Sequence, residues 1–552
     1  MIKACLARPL LHFGLLALTL SSPVSALPSP ITLDGSKLTL EQVEAIAREG
    51  APVQLETSRL EMIERAHQLV LVAADADVPI YGLNRGVGLN KDKTLFSGNV
   101  ANPEARAASQ KFNRDMLRAH SAGVGPEAPD DVVRAAMAVR LNTAMIGHSG
   151  AQREVVEMYR DFLNRGIHPV IPSRGSLGEA DITLLSHVGL AMMGEGEVRV
   201  EGRRMAAAQA LRKAGLRPLQ PFAKDGLAII SSNAFSVGWA CLVVKDIERT
   251  LDAAEQIYAL SLEGFDGNVA PLLETVQNLR PYPGQRETAA RLRALLEGSY
   301  LWSSPGNSRQ LQDPLSYRCF SQVHGATRDI LTELGQQLEL QLNSSDDNPA
   351  VLLGAVPPAD APDQVKAYYV TGGAVIPTAN FEPLSWVLSL ENLGVGLAHI
   401  SGASSERMTR MGDDHFTQLT RFLAPDPQTL AFSAIQKAYV SMDSENRALA
   451  MPTSLNYLDV AGGIEDVATN SLLTVHRLER LNDNLRCILG MELLHAAQAV
   501  DLRRRKDPNL KLGVGSEALL SAYRQVVPFL DRDRPLTPDI RSSDSFVDSL
   551  SK

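Results

Sequence analysis

Hydrophobic residues recur along most of the chain at steps of three and four, the spacing that places them on one face of an α-helix. The longest pattern covers residues 462–504, where leucine, isoleucine and valine repeat without an internal proline. Helices of this length usually belong to a bundle or to the core of an oligomer. Further helices are predicted at 57–75, 325–342, 383–411 and 428–450, and as two helices within 130–165 interrupted near 147–150.

Strand patterns are short and few, at residues 196–200 and 368–371. The sequence therefore predicts a mainly α fold with a mixed α/β N-terminal lobe and a long central helical bundle. A break at residues 220–226, which contain proline and glycine, suggests where the lobe ends. We predict a lobe over 27–222, a helical bundle over 223–531 and a polar tail over 532–552 that frays.

The first 26 residues have the pattern of a secretory signal peptide. Lys3 and Arg8 precede an apolar run over residues 10–20, and Val24-Ser25-Ala26 forms a small-residue cleavage site. The run is too short to span a membrane. We therefore expect a signal peptide over 1–26, a periplasmic or secreted protein, and no membrane attachment after cleavage. The alternatives are a misassigned start codon and a cytosolic N-terminal extension.

Composition and charge narrow the classes of partner. Hydrophobic residues make up 45% of the 552 residues and charged residues 21%, which permits a sizeable core and excludes general disorder. The net charge of −9 argues against nucleic acid as the main partner. Removing the signal peptide would lower the charge to −11, because that segment holds two basic residues and no acidic ones. Neither a disulfide framework nor a metal site is suggested by the four cysteines, which are Cys5, Cys241, Cys319 and Cys487.

Polar, glycine-rich loops between the helical patterns carry many chemically capable side chains, and such loops often form sites. Residues 81–88 read Tyr-Gly-Leu-Asn-Arg-Gly-Val-Gly, and residues 117–123 read Leu-Arg-Ala-His-Ser-Ala-Gly. Residues 312–319 read Gln-Asp-Pro-Leu-Ser-Tyr-Arg-Cys, followed by Gln-Val-His-Gly at 322–325. Further polar motifs are Asn343-Ser344, Asp347-Asn348-Pro349, Ser444-Glu445-Asn446 and Glu465-Asp466.

In this order, the motifs resemble those of the histidine/phenylalanine ammonia-lyase family, from about residue 36 to about residue 500. The resemblance implies the ammonia-lyase fold and a small-molecule substrate derived from an amino acid. It also implies a homotetramer whose active sites draw loops from more than one subunit. Members of the family eliminate an amine from one carbon while a base removes a proton from the neighbouring carbon.

The family builds its electrophile, methylidene-imidazolone, from a contiguous Ala-Ser-Gly of its own backbone. The glycine nitrogen attacks the alanine carbonyl group, and the serine then loses water. The corresponding segment here is one residue shorter and reads Gly178-Glu179-Ala180-Asp181. It has no serine to dehydrate, so we expect that the group is absent and that the protein uses no cofactor.

The resemblance also assigns roles to single residues. Tyr81 is the candidate base and Glu465 a second candidate catalytic residue, but a tyrosine with its usual pKa of about 10 needs nearby donors or cations to act near neutrality. Arg318 is the candidate carboxylate clamp, because a guanidinium group binds a carboxylate through two parallel hydrogen bonds. The other candidate substrate-binding residues are Asn84, His120, Asn233, Gln312, Phe381 and Lys437.

Each candidate has a structural alternative. Tyr81 could cap a turn, Arg318 could form a structural ion pair, and a lone histidine is more often structural than functional. Glu382 and Lys437 read as solvated charges unless both enter the pocket. Glu179 either places a negative charge beside a cationic leaving group or is a loop acid near a helix N-terminus.

Three functions remain open. The sequence favours a carbon–nitrogen lyase without a built-in electrophile, acting on a betaine that releases trimethylamine, as in ergothionase-like relatives. A quaternary ammonium group leaves as a neutral amine, so this elimination needs only a base and a clamp. The second function is a conventional histidine or aromatic amino acid ammonia-lyase. The third is a non-catalytic, exported binding protein on the same scaffold.

Overall fold

The computed structural model of the protein describes residues 29–100, 102–303 and 311–550. The predicted signal peptide, 1–26, lies outside the described residues. The strands are β1 (Ile31–Leu33), β2 (Val53–Leu55), β3 (Val124–Glu127), β4 (Ile167–Pro169), β5 (Pro172–Arg174), β6 (Glu197–Val200), β7 (Arg203–Ala206), β8 (Ala350–Leu353), β9 (Tyr369–Val370) and β10 (Gly373–Ile376).

Helices account for most of the described chain. In the N-terminal part they are α1 (Leu40–Glu44), α2 (Thr57–Asp75), α3 (Pro103–His120), α4 (Asp130–Met145), α5 (Arg153–Asn164), α6 (Ile182–Met192), α7 (Ala207–Ala214) and α8 (Asp225–Ile230). The rest are α9 (Ala234–Phe265), α10 (Glu274–Gln277), α11 (Pro283–Leu295), α12 (Leu315–Arg318), α13 (Phe320–Leu342), α14 (Asp363–Lys366), α15 (Leu384–Met411), α16 (Asp414–Thr417), α17 (Gln436–Leu449), α18 (Ser471–Lys506), α19 (Val514–Tyr523) and α20 (Thr537–Leu550). A π-helical turn and short 3-10 turns lie at Ala45–Glu49, Gly88–Asn90, Ala270–Leu272, Tyr300–Trp302, Arg421–Leu423 and Ala431–Ser433.

Long helices form the centre of the molecule, which confirms the predicted mainly α fold and its helical bundle. Helix α9 packs along α18 and also against α4, while α15 packs against α13 and α18. The pattern predicted at 462–504 starts late: α18 begins only at Ser471. Gly462 and Gly463 have φ values of 68° and 81°, which are incompatible with a right-handed helix, so this stretch is a loop.

Helix α9 was not among the predicted helices. Residues on all of its faces are buried, so its apolar positions do not follow a helical period. The run Asp225–Phe265 is long and apolar enough to span a membrane by length and composition alone. The apolar window of that run is 100% buried inside the protein, as expected for the central helix of a bundle.

Small sheets accompany the helices of the N-terminal lobe. Strands β1 and β2 pair in parallel, β3 pairs with β5, and β6 lies between β4 and β7. Strands β6 and β9 lie within the two predicted strand segments. The pairing of Val124 with Arg174 places the segment that follows α3 beside the start of the loop at 175–181.

The two ends predicted for the helical bundle are both packed against the core. At the break at 220–226, the side chains of Lys224 and Asp225 are fully buried and one apolar core extends across it; the division into a lobe and a bundle stays a prediction. The predicted frayed tail is helix α20, which packs against α18. Small and apolar residues four positions apart form its buried face, where Ser543 and Val547 are 0% exposed.

Candidate active site

The loop that carries Tyr81 is fixed by its own polar groups. The Tyr81 hydroxyl accepts a hydrogen bond from the backbone N–H of Gly88 at 2.8 Å. The Asn84 side chain accepts from the Ile80 N–H at 2.8 Å and donates to the Val78 carbonyl at 2.9 Å. Asn84 is 2% exposed, and its amide holds the loop that presents Tyr81; its substrate-binding role stays a prediction.

Asn233 joins the loop at 178–181 to a third segment of the chain. Its Oδ1 accepts a hydrogen bond from the Ala180 N–H at 3.1 Å, and its Nδ2 donates to the carbonyl oxygen of Phe381. The structure therefore brings the predicted residues Asn233, Ala180 and Phe381 together. The contact at Phe381 uses the backbone, which the sequence did not indicate.

Asp181 anchors the far end of the same loop. It is 0% exposed, and its carboxylate accepts hydrogen bonds from the Ser236 N–H at 2.8 Å and the Ser236 hydroxyl at 2.6 Å. Its own N–H donates to the Ser232 carbonyl at 2.8 Å. Ala180, just before it, has a φ of 79°, a left-handed conformation that is strained for a residue with a side chain.

Gly178 allows the other end of the loop to approach helix α18. A Cβ atom at Gly178 would lie 2.2 Å from the Thr469 Oγ1, and the φ of Gly178 is 103°. The neighbouring Leu177 carbonyl accepts hydrogen bonds from the Thr469 and Asn470 N–H groups at 3.1 and 2.7 Å. Only glycine permits this contact between the loop and the residues before α18.

The charge of Glu465 acts on both Tyr81 and Glu179, and the charge of Glu382 acts on Glu179 as well. Burial raises the pKa of Glu179 to about 7, and the negative charges of Glu465 and Glu382 raise it as well. The Oε1 atom of Glu179 is buried and has no hydrogen-bond partner. Such a concentration of negative charge suits a bound cation.

The same surroundings act on the candidate base. Burial raises the pKa of the Tyr81 phenol and Glu465 raises it too, while the hydrogen bond from Gly88 lowers it. The loop 460–465 lies next to the Tyr81 loop, since a Cβ atom at Gly88 would lie 3.8 Å from the Ala461 Cβ. Within the described part of the chain, therefore, Tyr81 faces a carboxylate and not the cation that the sequence argument requires.

Arg318 and Gln312 form a second group. Helix α12 carries Arg318, whose Nη1 donates a hydrogen bond to the Gln312 side-chain oxygen. Arg318 is half-buried and Gln312 is exposed. Among the described residues, no hydrogen bond or ion pair joins Arg318 to Tyr81 or Glu179. In the part of one chain that the structure describes, no such bond connects the candidate clamp with the candidate base.

Among the described contacts, neither His120 nor Lys437 is hydrogen-bonded to the acidic residues near Glu179. The Nδ1 atom of His120, at the end of α3, lies 2.8 Å from the Met116 carbonyl oxygen, a bond that orients the ring from its own helix. The side chain of Lys437 is exposed at the start of α17. No described contact links either side chain to Tyr81.

Asp346 supports the site, although the sequence suggested only a turn at this position. Its Oδ2 accepts hydrogen bonds from the Ser232 hydroxyl at 2.8 Å and the Asn233 N–H at 2.9 Å. Burial raises the pKa of Asp346 to about 6, and the neighbouring Asp347 pairs with buried Arg140 at 2.7 Å. The one signal in the sequence was Arg140, an arginine within an otherwise apolar helical pattern. A buried arginine is almost always paired, so it indicated a buried acid nearby.

Comparison with known proteins gives a consistent family. The model of the family described as "Aromatic amino acid lyase" matches residues 38–525. The histidine ammonia-lyase of Sorangium cellulosum (strain So ce56) is 35% identical over 522 residues, covering 93% of this chain and 96% of the relative. A histidine ammonia-lyase of Treponema denticola is 33% identical over 516 residues, covering 93% and 95%.

Solved structures with the same fold include two with different activities in their names. The ergothioneine-degrading enzyme ergothionase from Treponema denticola, in complex with desmethyl-ergothioneine sulfonic acid, is 40% identical with a TM-score of 0.86, covering 95% of this chain and 99% of that chain. The histidine ammonia-lyase from Trypanosoma cruzi is 26% identical with a TM-score of 0.81, covering 94% and 93%.

Proposed function

The chain belongs to the aromatic amino acid lyase family, and we propose that it is a carbon–nitrogen lyase that eliminates a tertiary amine from an amino-acid betaine without a methylidene-imidazolone group. The observation that carries this proposal is the buried, unpartnered carboxyl oxygen of Glu179, a residue that the motif resemblance matches to the family's electrophile segment. The ergothionase likeness favours a substrate of the ergothioneine type, a betaine that carries a trimethylammonium group and a carboxylate.

The residues at 178–181 do not fit the family's prosthetic ring. Ring formation joins a backbone nitrogen to the carbonyl carbon two residues before it, and the middle residue then loses water. Here the middle residue is Ala180, which has no hydroxyl group to lose. The nitrogen would be that of Asp181, whose N–H donates to the Ser232 carbonyl and whose side chain is buried. We infer that the backbone remains open at this loop.

A betaine does not need that electrophile. In the proposed reaction, Tyr81 removes a proton from the carbon atom adjacent to the one that bears nitrogen, so that a C–H bond breaks there. The electron pair of that bond forms a carbon–carbon double bond, and the C–N bond breaks with its pair on nitrogen. A quaternary ammonium group thereby departs as neutral trimethylamine, which is a better leaving group than ammonia from an unactivated amine.

The carboxylates at the site complement such a cation. A trimethylammonium group beside Glu179, Glu382 and Glu465 would be stabilised by their charges. Its positive charge also favours the ionised forms of Glu179 and Tyr81, which offsets the burial that raises the pKa of both. The substrate itself would thus supply the cation that the described residues do not place beside Tyr81.

The remaining groups would come from an assembly. We propose a homotetramer in which Gln312 and Arg318 of one subunit face the Tyr81 loop of another, so that Arg318 binds the substrate carboxylate. This arrangement is supported by the lack of any described hydrogen bond or ion pair between Arg318 and Tyr81 within one chain. His120 and Lys437 remain candidate substrate-binding residues in the assembled site. We also propose that the protein is exported, on the strength of the N-terminal pattern at 1–26.

A conventional ammonia-lyase is the second candidate function. The observation in its favour is that curated relatives 31–35% identical to this chain are named histidine ammonia-lyase. The loop Glu179-Ala180-Asp181 argues against this function. Elimination of ammonia is the reaction for which the family forms its ring, and these residues do not fit that ring.

One spectroscopic assay separates the candidates. The mature protein is incubated in turn with ergothioneine, L-histidine, L-tyrosine and L-phenylalanine, and the ultraviolet absorbance of a conjugated acid is followed. A product from ergothioneine alone supports the proposal, and trimethylamine should be released in equal amount. A product from a free amino acid supports the conventional enzyme, and no product from any of the four substrates favours a binding protein.

Mass spectrometry of the intact loop gives an independent test. The peptide that spans residues 174–182 should have the mass of its unmodified sequence. A loss of water would show that a ring forms from these residues and would overturn the proposal whatever substrate is used. The matched activity control is Tyr81→Phe, which keeps the ring of the side chain and removes the proton acceptor.

A further inference from the structure

The short helix α12 that carries Arg318 is attached to the core by the carbonyl groups of the two residues before it. The Tyr258 hydroxyl donates a hydrogen bond to the Tyr317 carbonyl at 2.8 Å. Arg407 donates from Nη1 to the Ser316 carbonyl at 3.2 Å. Both bonds connect α12 to helices of the bundle, α9 and α15. The bundle therefore fixes the orientation of the short helix that carries Arg318.

Arg407 is itself held rigidly. Arg407 and Glu492 are 1% and 0% exposed, and they form a two-pronged ion pair with distances of 2.5 Å for Nε to Oε1 and 2.6 Å for Nη2 to Oε2. The Ser404 hydroxyl donates to the same carboxylate at 2.6 Å. An ion pair taken wholly out of water keeps a single geometry only when its hydrogen bonds are satisfied, as they are here.

Stacked aromatic rings complete the support. The rings of Tyr258 and Phe320 stack with centroids 3.8 Å apart, and those of Phe265 and Tyr317 stack at 4.0 Å. The guanidinium carbon of Arg407 lies 5.4 and 5.3 Å from the ring centroids of Tyr258 and Phe320. Phe320 begins the helix that follows Arg318, so stacked rings hold the chain both before the arginine, at Tyr317, and after it, at Phe320.

We propose that Tyr258 and the Arg407–Glu492 pair are positioning residues for the binding of the substrate carboxylate by Arg318. This inference rests on the proposed function in assigning a carboxylate to Arg318. Its physical basis is that a two-pronged guanidinium–carboxylate contact requires a fixed direction of approach, which a one-turn helix cannot maintain without such anchors.

The test compares two tyrosines that make the same kind of bond. Tyr258→Phe removes the hydroxyl group that holds α12 and keeps the stacked ring. Tyr300→Phe removes a hydroxyl that donates to the Glu263 carbonyl at 2.7 Å, at the same end of α9 as Tyr258 but with no described hydrogen bond to α12. Each change is made in the full mature chain with Tyr81→Phe, and the affinity for ergothioneine and for its methyl ester is measured by calorimetry.

Tyr258→Phe should weaken the binding of ergothioneine by about fivefold, the effect of one hydrogen bond of average net strength. The binding of the ester, which has no carboxylate, should stay the same, and Tyr300→Phe should change neither. Arg407→Lys keeps the charge but cannot form the two-pronged contact with Glu492. It should therefore weaken the binding of ergothioneine but not that of the ester. Equal weakening of acid and ester, or no weakening by Tyr258→Phe, would overturn the inference.

Arg318→Gln separates this inference from the proposed function. If Arg318→Gln weakens ergothioneine binding and Tyr258→Phe does not, the clamp stands and the positioning role is refuted. If the parent protein binds no ergothioneine, the proposed substrate fails. In that case, hydrogen exchange of residues 315–319 tests whether Tyr258 anchors α12. Faster exchange in Tyr258→Phe than in Tyr300→Phe supports the anchoring, and equal exchange refutes it.

Discussion

Replacing Glu179 with glutamine should stabilise the protein and damage the site at the same time. Glutamine has nearly the same shape but cannot ionise. The pKa of Glu179 is raised from 4.5 to about 7, which corresponds to about 3.4 kcal/mol against ionisation if no solvent screens it. Because the side chain is only partly buried, we reduce this figure to about 1–2 kcal/mol.

The sign of the effect depends on pH. Because the folded protein holds the Glu179 proton more tightly than the unfolded chain, the parent protein has its full stability below about pH 4.5 and loses it as the pH rises through about 7. Glu179→Gln has no such loss. The variant should therefore match the parent near pH 4.5 and exceed it by about 1–2 kcal/mol at pH 8.

Thermal unfolding of the parent and the variant at pH 4.5, 6, 7 and 8 measures this difference. The midpoint of the variant should rise relative to the parent between pH 4.5 and 7, and the difference should level off by pH 8. In the same samples, the KM for ergothioneine at pH 8 should rise at least tenfold, because the trimethylammonium group loses a facing carboxylate. A constant difference in midpoint at all pH values would refute the account of Glu179 given above. Glu445→Gln is the matched control, since Glu445 is an exposed acid whose pKa is lowered by its hydrogen bond to Arg480.

Three further changes test other parts of the structure. Tyr81→Phe should reduce kcat for ergothioneine by at least 1000-fold with little change in binding, as measured by the absorbance assay and calorimetry; retained turnover would show that another residue is the base. Asp346→Ala should lower the free energy of unfolding by about 2–4 kcal/mol, because the Ser232 hydroxyl and the Asn233 N–H both lose a buried acceptor; urea unfolding measures this, and a change below about 0.5 kcal/mol would contradict it. Val547→Asp should detach α20 and accelerate hydrogen exchange over 537–550 but not in the middle of α18; unchanged exchange over 537–550 would show that this face does not hold the helix.

The amphipathic helices were predictable because each has one face toward the core. Helix α2, for example, lies at Thr57–Asp75, the range predicted from its apolar spacing. Helix α9 was missed because burial on every side removes the periodic signal, although it is central to the bundle. Helix α20 was mistaken for a tail because its buried face includes serine as well as valine.

Motif comparison located the site loops but not the direction of each side chain. It identified the segment 178–181 and Asn233, which is hydrogen-bonded to that segment at Ala180, and it identified Tyr81, which shares the charge of Glu465 with Glu179. It could not show that the Asn84 amide is consumed within its own loop, since that depends on the local backbone. Nor could it show that Asp346 supports Asn233, because the two are distant in sequence and only the packing of α8 brings them together.

The bonds that fix Asp181 restrict the evolutionary routes open to this protein. Changing Ala180 to serine would supply a hydroxyl, yet the next nitrogen would still belong to Asp181 and would remain tied to Ser232. Replacing Asp181 with glycine would free that nitrogen but would remove the acceptor of two hydrogen bonds from Ser236. To form the ring at these positions, the loop would therefore need substitutions at both Ala180 and Asp181, and the second substitution would remove the present anchoring. The backbone chemistry of the loop is thus coupled to its attachment to the core, so that neither can be changed alone.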